Sequence, residues 1–361
     1  MELLIGLNAS DWFSLFRKNI FGISPNNWPA ILKLTLITLR NSSLMKKEIR
    51  QYGQQIEQTE IKEAPLFILG HWRSGTTLLH RLMSLDPQFA YPNMFEVYNP
   101  WTFLTMEPVL EKQLQNLPPE KRPMDNMVMT YKDPAEDEFA ISLLSSKSPI
   151  LGWAFPKHEQ YFDRYLTLHN LTEAERQEWK RFFVYFLKKL TLKYQKPLLL
   201  KSPHHTARVK TLLEIFPDAK FIHIHRNPYQ IFRSTVNLYK NTVASLSLSK
   251  RNMEKDIEGI INRYRVMYDF FFEERKGIKP NHLIDIAFEE LESDFEKEIG
   301  KIYSSLNLAG WDTYKPLLHN YLQKQPEYKK NKYPPIEKRW KEKINRYWER
   351  AFKEWGYPIE E

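Results

Sequence analysis

The sequence lacks cysteine altogether, has little glycine and contains no long apolar run. The absence of cysteine from 361 residues excludes a disulfide framework, a Cys-ligated zinc or iron–sulfur site and thiol catalysis. No apolar run approaches the ~18 residues of a membrane-spanning helix. The first residues show neither the basic segment nor the cleavage signature of a secretory signal. The sequence therefore favours a cytoplasmic protein whose chemistry uses side chains other than cysteine.

The chain carries an excess of positive charge. Lysine and arginine number 53 against 44 aspartates and glutamates, which gives a net charge of +9. Such an excess favours anionic partners, for example a phosphate-bearing molecule. The basic residues are mixed with acidic ones and form no arginine-rich tract, so nucleic acid is not expected as a partner.

The N-terminal part differs in pattern from the rest. Residues 1–62 predict a helical extension, in which an apolar run follows Trp28 and Pro29. That run suits a helix packed on the body of the protein or a helix lying on a membrane surface. The sequence is therefore compatible with a peripheral membrane contact as well as with packing on the protein. Residues 63–361 predict one compact domain, and the sequence does not indicate an oligomeric state.

From residue 63 onward, short apolar runs alternate with helical patterns. This alternation predicts an α/β protein with three layers (αβα), a central parallel sheet of P-loop type, and added N- and C-terminal helices. The expected strands are Pro65–Leu69, a run beginning at Pro197, Lys220–His225 and about Leu283–Phe288. The expected helices are Thr77–Met83, about His205–Phe216, Pro228–Leu238 and one C-terminal helix with an apolar stripe of Trp340, Ile344, Trp348, Phe352 and Trp355.

Two of the scarce glycines enclose a loop between a predicted strand and a predicted helix. Gly70 and Gly75 stand five apart, and a loop of this kind wraps backbone N–H groups around an anion at a helix N-terminus. Nucleotide triphosphatases place a lysine before the final Ser/Thr of this loop, where this chain has Thr76. The only cation in the loop is Arg73. A P-loop kinase or triphosphatase is therefore the alternative enzyme class.

The loop resembles a known family. Arg73-Ser74-Gly75-Thr76-Thr77 is similar to the 5′-phosphosulfate loop of sulfotransferases that use 3′-phosphoadenosine 5′-phosphosulfate (PAPS). The protein-tyrosine and many bacterial members carry this same arginine variant. The resemblance covers about residues 65–290. It implies that Arg73, Ser74, Gly75, Thr76 and Thr77 contact PAPS and that sulfonate passes to an acceptor hydroxyl without a metal ion.

A second motif supports the resemblance independently. Arg226 follows a predicted strand and Ser234 comes eight residues later, as in the family's 3′-phosphate site. A guanidinium fork and a hydroxyl suit a phosphate dianion. Two C-terminal lysines, Lys330 and Lys332, are added as candidate cofactor contacts. A PAPS- or nucleic-acid-binding protein without turnover is the non-enzymatic alternative.

The resemblance also implies the catalytic residues. Lys201 begins a Lys-Ser-Pro segment whose lysine stabilises the transition state in protein-tyrosine sulfotransferases, and Arg73 would be the second cation. One family spacing leads to His204 as the catalytic histidine and another to His205, so both are kept. Glu96 lies about two residues beyond the catalytic glutamate of protein-tyrosine sulfotransferases, and we expect it to be the base.

Two further clusters and the acceptor complete the sequence predictions. The acidic residues Glu136, Asp137 and Glu138 are expected to begin a solvated helix. His223 and His225 alternate on one strand and are expected to be core residues rather than metal ligands. The aromatic content of 14% favours an apolar acceptor alcohol, such as a lipid, a sterol-like compound or a phenol, although a carbohydrate would also use aromatics.

Overall fold

The computed structural model describes residues 2–121, 128–324 and 333–360. The chain forms two compact units. The helical unit comprises residues 1–62, 91–196 and 240–252, and the sheet unit comprises residues 63–90, 197–239 and 253–361. Residues 1–62 therefore share a unit with two later segments of the chain.

The strands form one parallel sheet and one hairpin. The strands are β1 Leu66–Leu69, β2 Glu120–Lys121, β3 Val128–Met129, β4 Leu199–Lys201, β5 Lys220–His225 and β6 Leu283–Ala287. The sheet unit contains β4-β1-β5-β6 in that spatial order, and each neighbouring pair is parallel. In the helical unit, β2 and β3 pair antiparallel. The central parallel sheet predicted from the sequence is confirmed.

Helices make up most of both units. In chain order they are α1 Ala9–Asn19, α2 Trp28–Gln58, α3 Thr76–Met83, α4 Met94–Tyr98, α5 Phe103–Gln115, α6 Asp137–Ser145, α7 Leu151–Ala154, α8 Glu159–Asp163, α9 Glu173–Tyr194, α10 Val209–Ile215, α11 Pro228–Leu238, α12 Ala244–Leu246, α13 Met253–Glu274, α14 Phe288–Ser293, α15 Phe295–Ser305, α16 Trp311–Gln323, α17 Lys338–Tyr347 and α18 Glu349–Trp355.

Apolar residues cover both faces of the parallel sheet. All four residues of β1 are buried, as expected for a central strand with helices on both sides. On one face, Ile68 and Ile222 belong to a core that α3, α15 and α16 complete. On the other face, Phe271 of α13 stacks on His223 with ring centroids 4.2 Å apart. The three-layer αβα arrangement is therefore confirmed.

Two predicted helices differ from the structure because of tertiary contacts. The helix expected from about His205 to Phe216 is a 3₁₀ segment, Pro203–Ala207, followed by α10. The 3₁₀ segment is held by the loop after β1, since Thr206 Oγ1 accepts a hydrogen bond from the Gly70 amide at 2.8 Å.

The single helix expected at the C-terminus is α17 followed by α18, with the break at Trp348. The Trp348 ring stacks on Tyr264 at 3.8 Å. Its Nε1 donates to the Ile261 carbonyl at 2.9 Å. Both contacts are made to α13, so the tryptophan at the break is fixed by a distant helix rather than by the local pattern.

The helical unit encloses buried charges. Lys189 of α9 and Glu48 of α2 form a buried ion pair with an N–O distance of 2.5 Å. Asp137 and Glu138 begin α6 as predicted, but both are buried. The expectation that this acidic cluster is solvated is therefore wrong; Glu138 instead accepts a hydrogen bond from Ser148 Oγ at 2.7 Å. Within the residues described, no helix is long and apolar enough to cross a membrane.

Candidate active site

The loop after β1 requires glycine at both ends. Gly70 has a φ of +143° and Gly75 a φ of +105°, and L side chains rarely adopt this region. A Cβ at Gly70 would lie 2.5 Å from the Ile224 carbonyl oxygen, and one at Gly75 would lie 2.3 Å from the Phe288 ring. The backbone therefore approaches its neighbours more closely than any other residue would allow.

Hydrogen bonds hold this loop in place within the sheet unit. The Gly70 amide donates to Thr206, as described above, and the His71 amide donates to the Tyr268 hydroxyl of α13 at 3.2 Å. Ser74 Oγ donates to the His71 carbonyl at 2.8 Å. The loop is thus ordered from two sides at the start of α3, where the N–H groups of a helix N-terminus attract an anion.

Arg226 and Ser234 lie in the segment after β5, and both contact the loop after β1. Asn227 caps α11 by accepting from the amides of Tyr229 and Gln230, and Ser234 lies further along that helix. Arg73 Nε donates to Ser234 Oγ at 2.9 Å. Arg226 donates to the Arg73 carbonyl at 3.3 Å. Residues more than 150 positions apart in the sequence therefore meet at one place.

The electrostatics of this place favour an anion. The Arg226 guanidinium lies over the Phe288 ring, 4.1 Å from its centroid. Burial lowers the pKa of Arg226, and the positive charge of Arg73 lowers it further, while Glu289 and Glu292 oppose the shift. Arginine stays charged in such a setting. Two guanidinium groups in a partly buried site are well suited to a phosphate or phosphosulfate group.

Tyr333 is a site residue that sequence reasoning missed. Its hydroxyl lies 3.1 Å from Ser234 Oγ, so it contacts the same group as Arg73. Tyr333 directly follows a lysine-rich segment, in which Lys330 and Lys332 were the predicted cofactor contacts. Both lysines lie outside the described part of the chain. No pattern in the sequence marks a lone tyrosine far from the two loops.

Lys201 ends β4, and the two histidines follow it. Lys201 is buried and pairs in register with Ile68 of β1. The His204 ring lies edge-on to Trp72 of the first loop, with centroids 4.7 Å apart, and its Nδ1 is 3.0 Å from Ser202 Oγ. The His205 ring contacts Phe67 of β1 instead. Of the two histidines, His204 therefore contacts the loop after β1, whereas His205 packs against the sheet.

Glu96 is hydrogen-bonded to other residues of the helical unit. Its Oε2 accepts from the Asn93 amide at 2.7 Å in a capping box that begins α4. Its Oε1 accepts from Lys193 Nζ at 2.7 Å and from the Tyr194 hydroxyl at 2.8 Å. Burial raises the pKa of Glu96, although Lys193 opposes this shift. The carboxylate is buried and hydrogen-bonded at both oxygens.

His223 and His225 are buried, as predicted. His223 Nδ1 is 2.6 Å from Asp285, and His225 Nδ1 is 2.9 Å from the Tyr357 hydroxyl. Trp355 stacks on the His225 ring. Burial lowers the pKa of His225 to about 3, so that ring is neutral. Over the described ranges, no cluster of three or more His, Asp or Glu side chains could hold a metal ion.

The parallel sheet, the glycine-bounded loop and the convergent arginines define a P-loop-like fold with a site suited to an anionic group. The model of the sulfotransferase family matches residues 65–313. The chain belongs to the sulfotransferase family, and it is a sulfotransferase enzyme.

Relatives from mycobacteria share most of this chain. It is 32% identical over 352 residues to proteins of Mycobacterium bovis and Mycobacterium tuberculosis that are named omega-hydroxy-beta-dihydromenaquinone-9 sulfotransferase Stf3, covering 96% of this chain and 90% of theirs.

Two solved structures share the fold. The sulfotransferase STF9 of Mycobacterium avium superposes with a TM-score of 0.68 at 19% identity, covering 94% of this chain and 88% of that one. STF1 of Mycobacterium tuberculosis gives 0.65 at 17% identity, covering 94% and 93%.

Proposed function

We propose that this sulfotransferase moves the sulfonate group from PAPS to the hydroxyl of an apolar acceptor, giving a sulfate ester and adenosine 3′,5′-bisphosphate. The observation that supports it best is the meeting of Arg73, Ser234 and Arg226 beside the glycine-bounded loop. A donor with phosphate groups at two positions needs two anion sites, and we assign one to each of these two neighbouring segments.

The residues of the sheet unit fit such a donor. The loop from Arg73 to Thr77 presents backbone N–H groups at the start of α3, which suits the phosphosulfate end. Arg226 and Ser234 suit the 3′-phosphate, with Tyr333 beside Ser234. Glycine at positions 70 and 75 lets the loop backbone pack directly against Ile224 and the Phe288 ring, which fixes the loop conformation that presents these N–H groups.

The transfer requires a defined exchange of bonds. The acceptor oxygen forms a bond to sulfur while the bond from sulfur to the bridging phosphate oxygen breaks, and the hydroxyl proton passes to a base. Lys201 and Arg73 would stabilise the charge on the sulfonate and the departing phosphate. The protein would supply these charges from its own side chains, so no metal ion enters the proposal.

Two residues are candidates for the base. Glu96 is supported by its burial, because a carboxyl with a raised pKa is a better proton acceptor at neutral pH. His204 is supported by its ring contact with Trp72 in the phosphate loop. His205 has the weaker support of the two histidines, since its ring packs on Phe67. We propose Glu96 as the base and His204 as the second candidate.

Substitution of Glu96 by Gln tests this assignment. Gln keeps an oxygen that can accept from the Asn93 amide and so preserves the capping box, but it cannot take a proton. Loss of a general base costs about 10²–10⁴-fold in turnover, so we expect Glu96→Gln to lower kcat in that range with donor binding unchanged. Because the base must be deprotonated, the wild-type rate should rise with pH through the raised pKa, and the variant should lose this dependence.

Matched histidine variants decide between the candidates. His204→Ala and His205→Ala would be measured with Glu96→Gln by steady-state kinetics and by thermal unfolding. If Glu96→Gln stays within about threefold of the wild type while His204→Ala loses 10²-fold or more, the base is His204. His205→Ala is expected to lower stability more than turnover, because the ring is part of the core.

The acceptor is proposed to be a lipid-like alcohol. The mycobacterial relatives at 32% identity are named for a hydroxylated menaquinone derivative, which agrees with the apolar acceptor expected from the aromatic content. A transfer assay with ³⁵S-labelled PAPS and a panel of lipid, phenolic and carbohydrate alcohols would test the proposal. Labelled ester from the carbohydrates alone would contradict the acceptor class, and labelled ester from none would contradict the function. A cytoplasmic location and the lack of a nucleic-acid partner stay predictions.

A further inference from the structure

The outer face of α2 carries an exposed apolar stripe. Trp28, Leu32, Leu36 and Leu39 are 42%, 65%, 62% and 50% exposed. Their spacings of four, four and three residues place them on one face of the helix. The opposite face is packed, since Ile31 and Leu34 belong to the core of the helical unit. The stripe is therefore exposed on a helix that is already fixed in place.

Helix α1 lies beside α2, and further exposed aromatic residues lie within it and just after it. It packs on α2, because the Phe16 ring contacts Trp28 at 6.0 Å and Trp12 Nε1 donates to Thr35 Oγ1 at 2.9 Å. Phe13 of α1 and Phe21 just after it are exposed. The docking surface is defined here by the exposed side chains Phe13, Phe21, Trp28, Leu32, Leu36 and Leu39.

The segment of chain that carries this docking surface is basic. From residue 12 to residue 47 the chain has six basic residues and no aspartate or glutamate. Within α2, Lys33 and Arg40 are exposed beside the apolar stripe, and Lys46 and Lys47 are exposed beyond its end. An apolar stripe flanked by lysine and arginine is typical of a helix that lies in the interface of a membrane.

We infer that the docking surface binds an anionic lipid bilayer. The apolar side chains would enter the boundary between headgroups and acyl chains, and the basic side chains would contact the negatively charged headgroups. A second copy of the chain is a poorer partner, because it would bring a like-charged surface against this one. The inference rests on α1 and α2 alone and does not depend on the proposed reaction.

Flotation of the full chain with vesicles tests the inference. We expect the protein to float with vesicles of equal parts phosphatidylcholine and phosphatidylglycerol, and to float far less with phosphatidylcholine alone. Added salt should weaken the binding because it screens the headgroup charge. No donor or acceptor is present in this experiment, so its result is separate from the outcome of the transfer assay.

Paired variants localise the binding. Leu32→Gln with Leu36→Gln, and separately Lys33→Glu with Arg40→Glu, are each expected to lower the vesicle partition coefficient about tenfold or more. Leu317→Gln with Ile359→Gln changes two exposed apolar residues of the sheet unit and should leave binding unchanged. Turnover of a water-soluble acceptor should also stay unchanged in all three variants.

Three results would overturn the inference. The first is failure of the full chain to float with the phosphatidylglycerol-containing vesicles at low salt. The second is equal loss of binding in the Leu317/Ile359 control. The third is a change of oligomeric state, in which sedimentation shows that Leu32→Gln with Leu36→Gln converts a dimer into a monomer while vesicle binding persists. The stripe would then be a contact between copies of the chain.

Discussion

At the scale of single residues, Arg226 is the side chain that most sharply distinguishes the proposed donor from other nucleotides. It lies between the carbonyl of Arg73 and the ring of Phe288, neither of which carries a net charge, and the carboxylates of Glu289 and Glu292 offset its positive charge in part. Burial disfavours that charge, so an anion bound there would gain a strong, partly desolvated interaction. This arrangement predicts selectivity for a 3′-phosphate.

Replacing Arg226 by Ala should remove this selectivity. Loss of one charge-assisted contact costs about 1.5–3 kcal/mol, so binding of adenosine 3′,5′-bisphosphate should weaken by about 10- to 150-fold. Binding of adenosine 5′-phosphate should change little. Calorimetry with both nucleotides would measure the two affinities, and Arg265→Ala, which removes an arginine on the surface of α13, is the control. An unchanged affinity ratio in Arg226→Ala would show that another residue reads the 3′ position.

At the scale of structural elements, the loop between β1 and α3 tolerates little change. Both of its glycines have backbone angles that other residues rarely adopt, and both lie against groups that a Cβ would strike. The loop also contains Arg73 with a φ of +72°, in the left-handed region that costs about 1–3 kcal/mol for a residue other than glycine. Such cost is typical of a segment held ready for a ligand.

Substitution of Gly75 by Ala should therefore disturb the loop directly. The new Cβ would meet the Phe288 ring, which also supports Arg226. We expect nucleotide affinity to fall at least tenfold and the thermal midpoint to drop. The matched control is Gly277→Ala, where a Cβ would have no neighbour within 4 Å and where affinity and midpoint should match the wild type. Equal behaviour of the two variants in both measurements would contradict the assigned role of the loop.

At the scale of the whole molecule, the proposed reaction assigns to positively charged side chains the part that a metal ion plays in nucleotide triphosphatases. In nucleotide triphosphatases, a loop lysine and Mg²⁺ neutralise the transferred group. Here Thr76 takes the place of that lysine. The arginines at this site are Arg73, in the loop itself, and Arg226, which directly follows β5. The chain as a whole carries a net charge of +9, which favours an anionic donor in general.

Turnover should consequently be independent of divalent metal. We expect the rate with PAPS to stay within about twofold in the presence of excess EDTA, because the proposed chemistry uses only side chains and backbone N–H groups. The control is the same assay with added Mg²⁺. A loss of more than about tenfold that Mg²⁺ restores would favour the kinase-like alternative.

Much of the sheet unit could be predicted from the sequence. β5 and α11 have the predicted bounds, because a short segment rich in isoleucine and phenylalanine and an Asn-Pro start are local signals. The two segments that we propose to bind phosphate could also be located in the sequence, since glycine spacing and the Arg-to-Ser spacing are local as well. The 3₁₀ segment after β4 and the break at Trp348 were not predicted, because contacts with β1 and α13 decide them.

What the sequence by itself determined is the alternation of strands and helices, the location of the two loops that we propose to bind the donor, and the family to which the chain belongs. These properties follow from short-range patterns, which act within a few residues along the chain. The tertiary structure alone decided that Arg73, Ser234 and Tyr333 meet, that His204 contacts the loop while His205 faces the sheet, and that Asp137 and Glu138 are buried. Each of these depends on which distant segments pack together, and no local pattern carries that information.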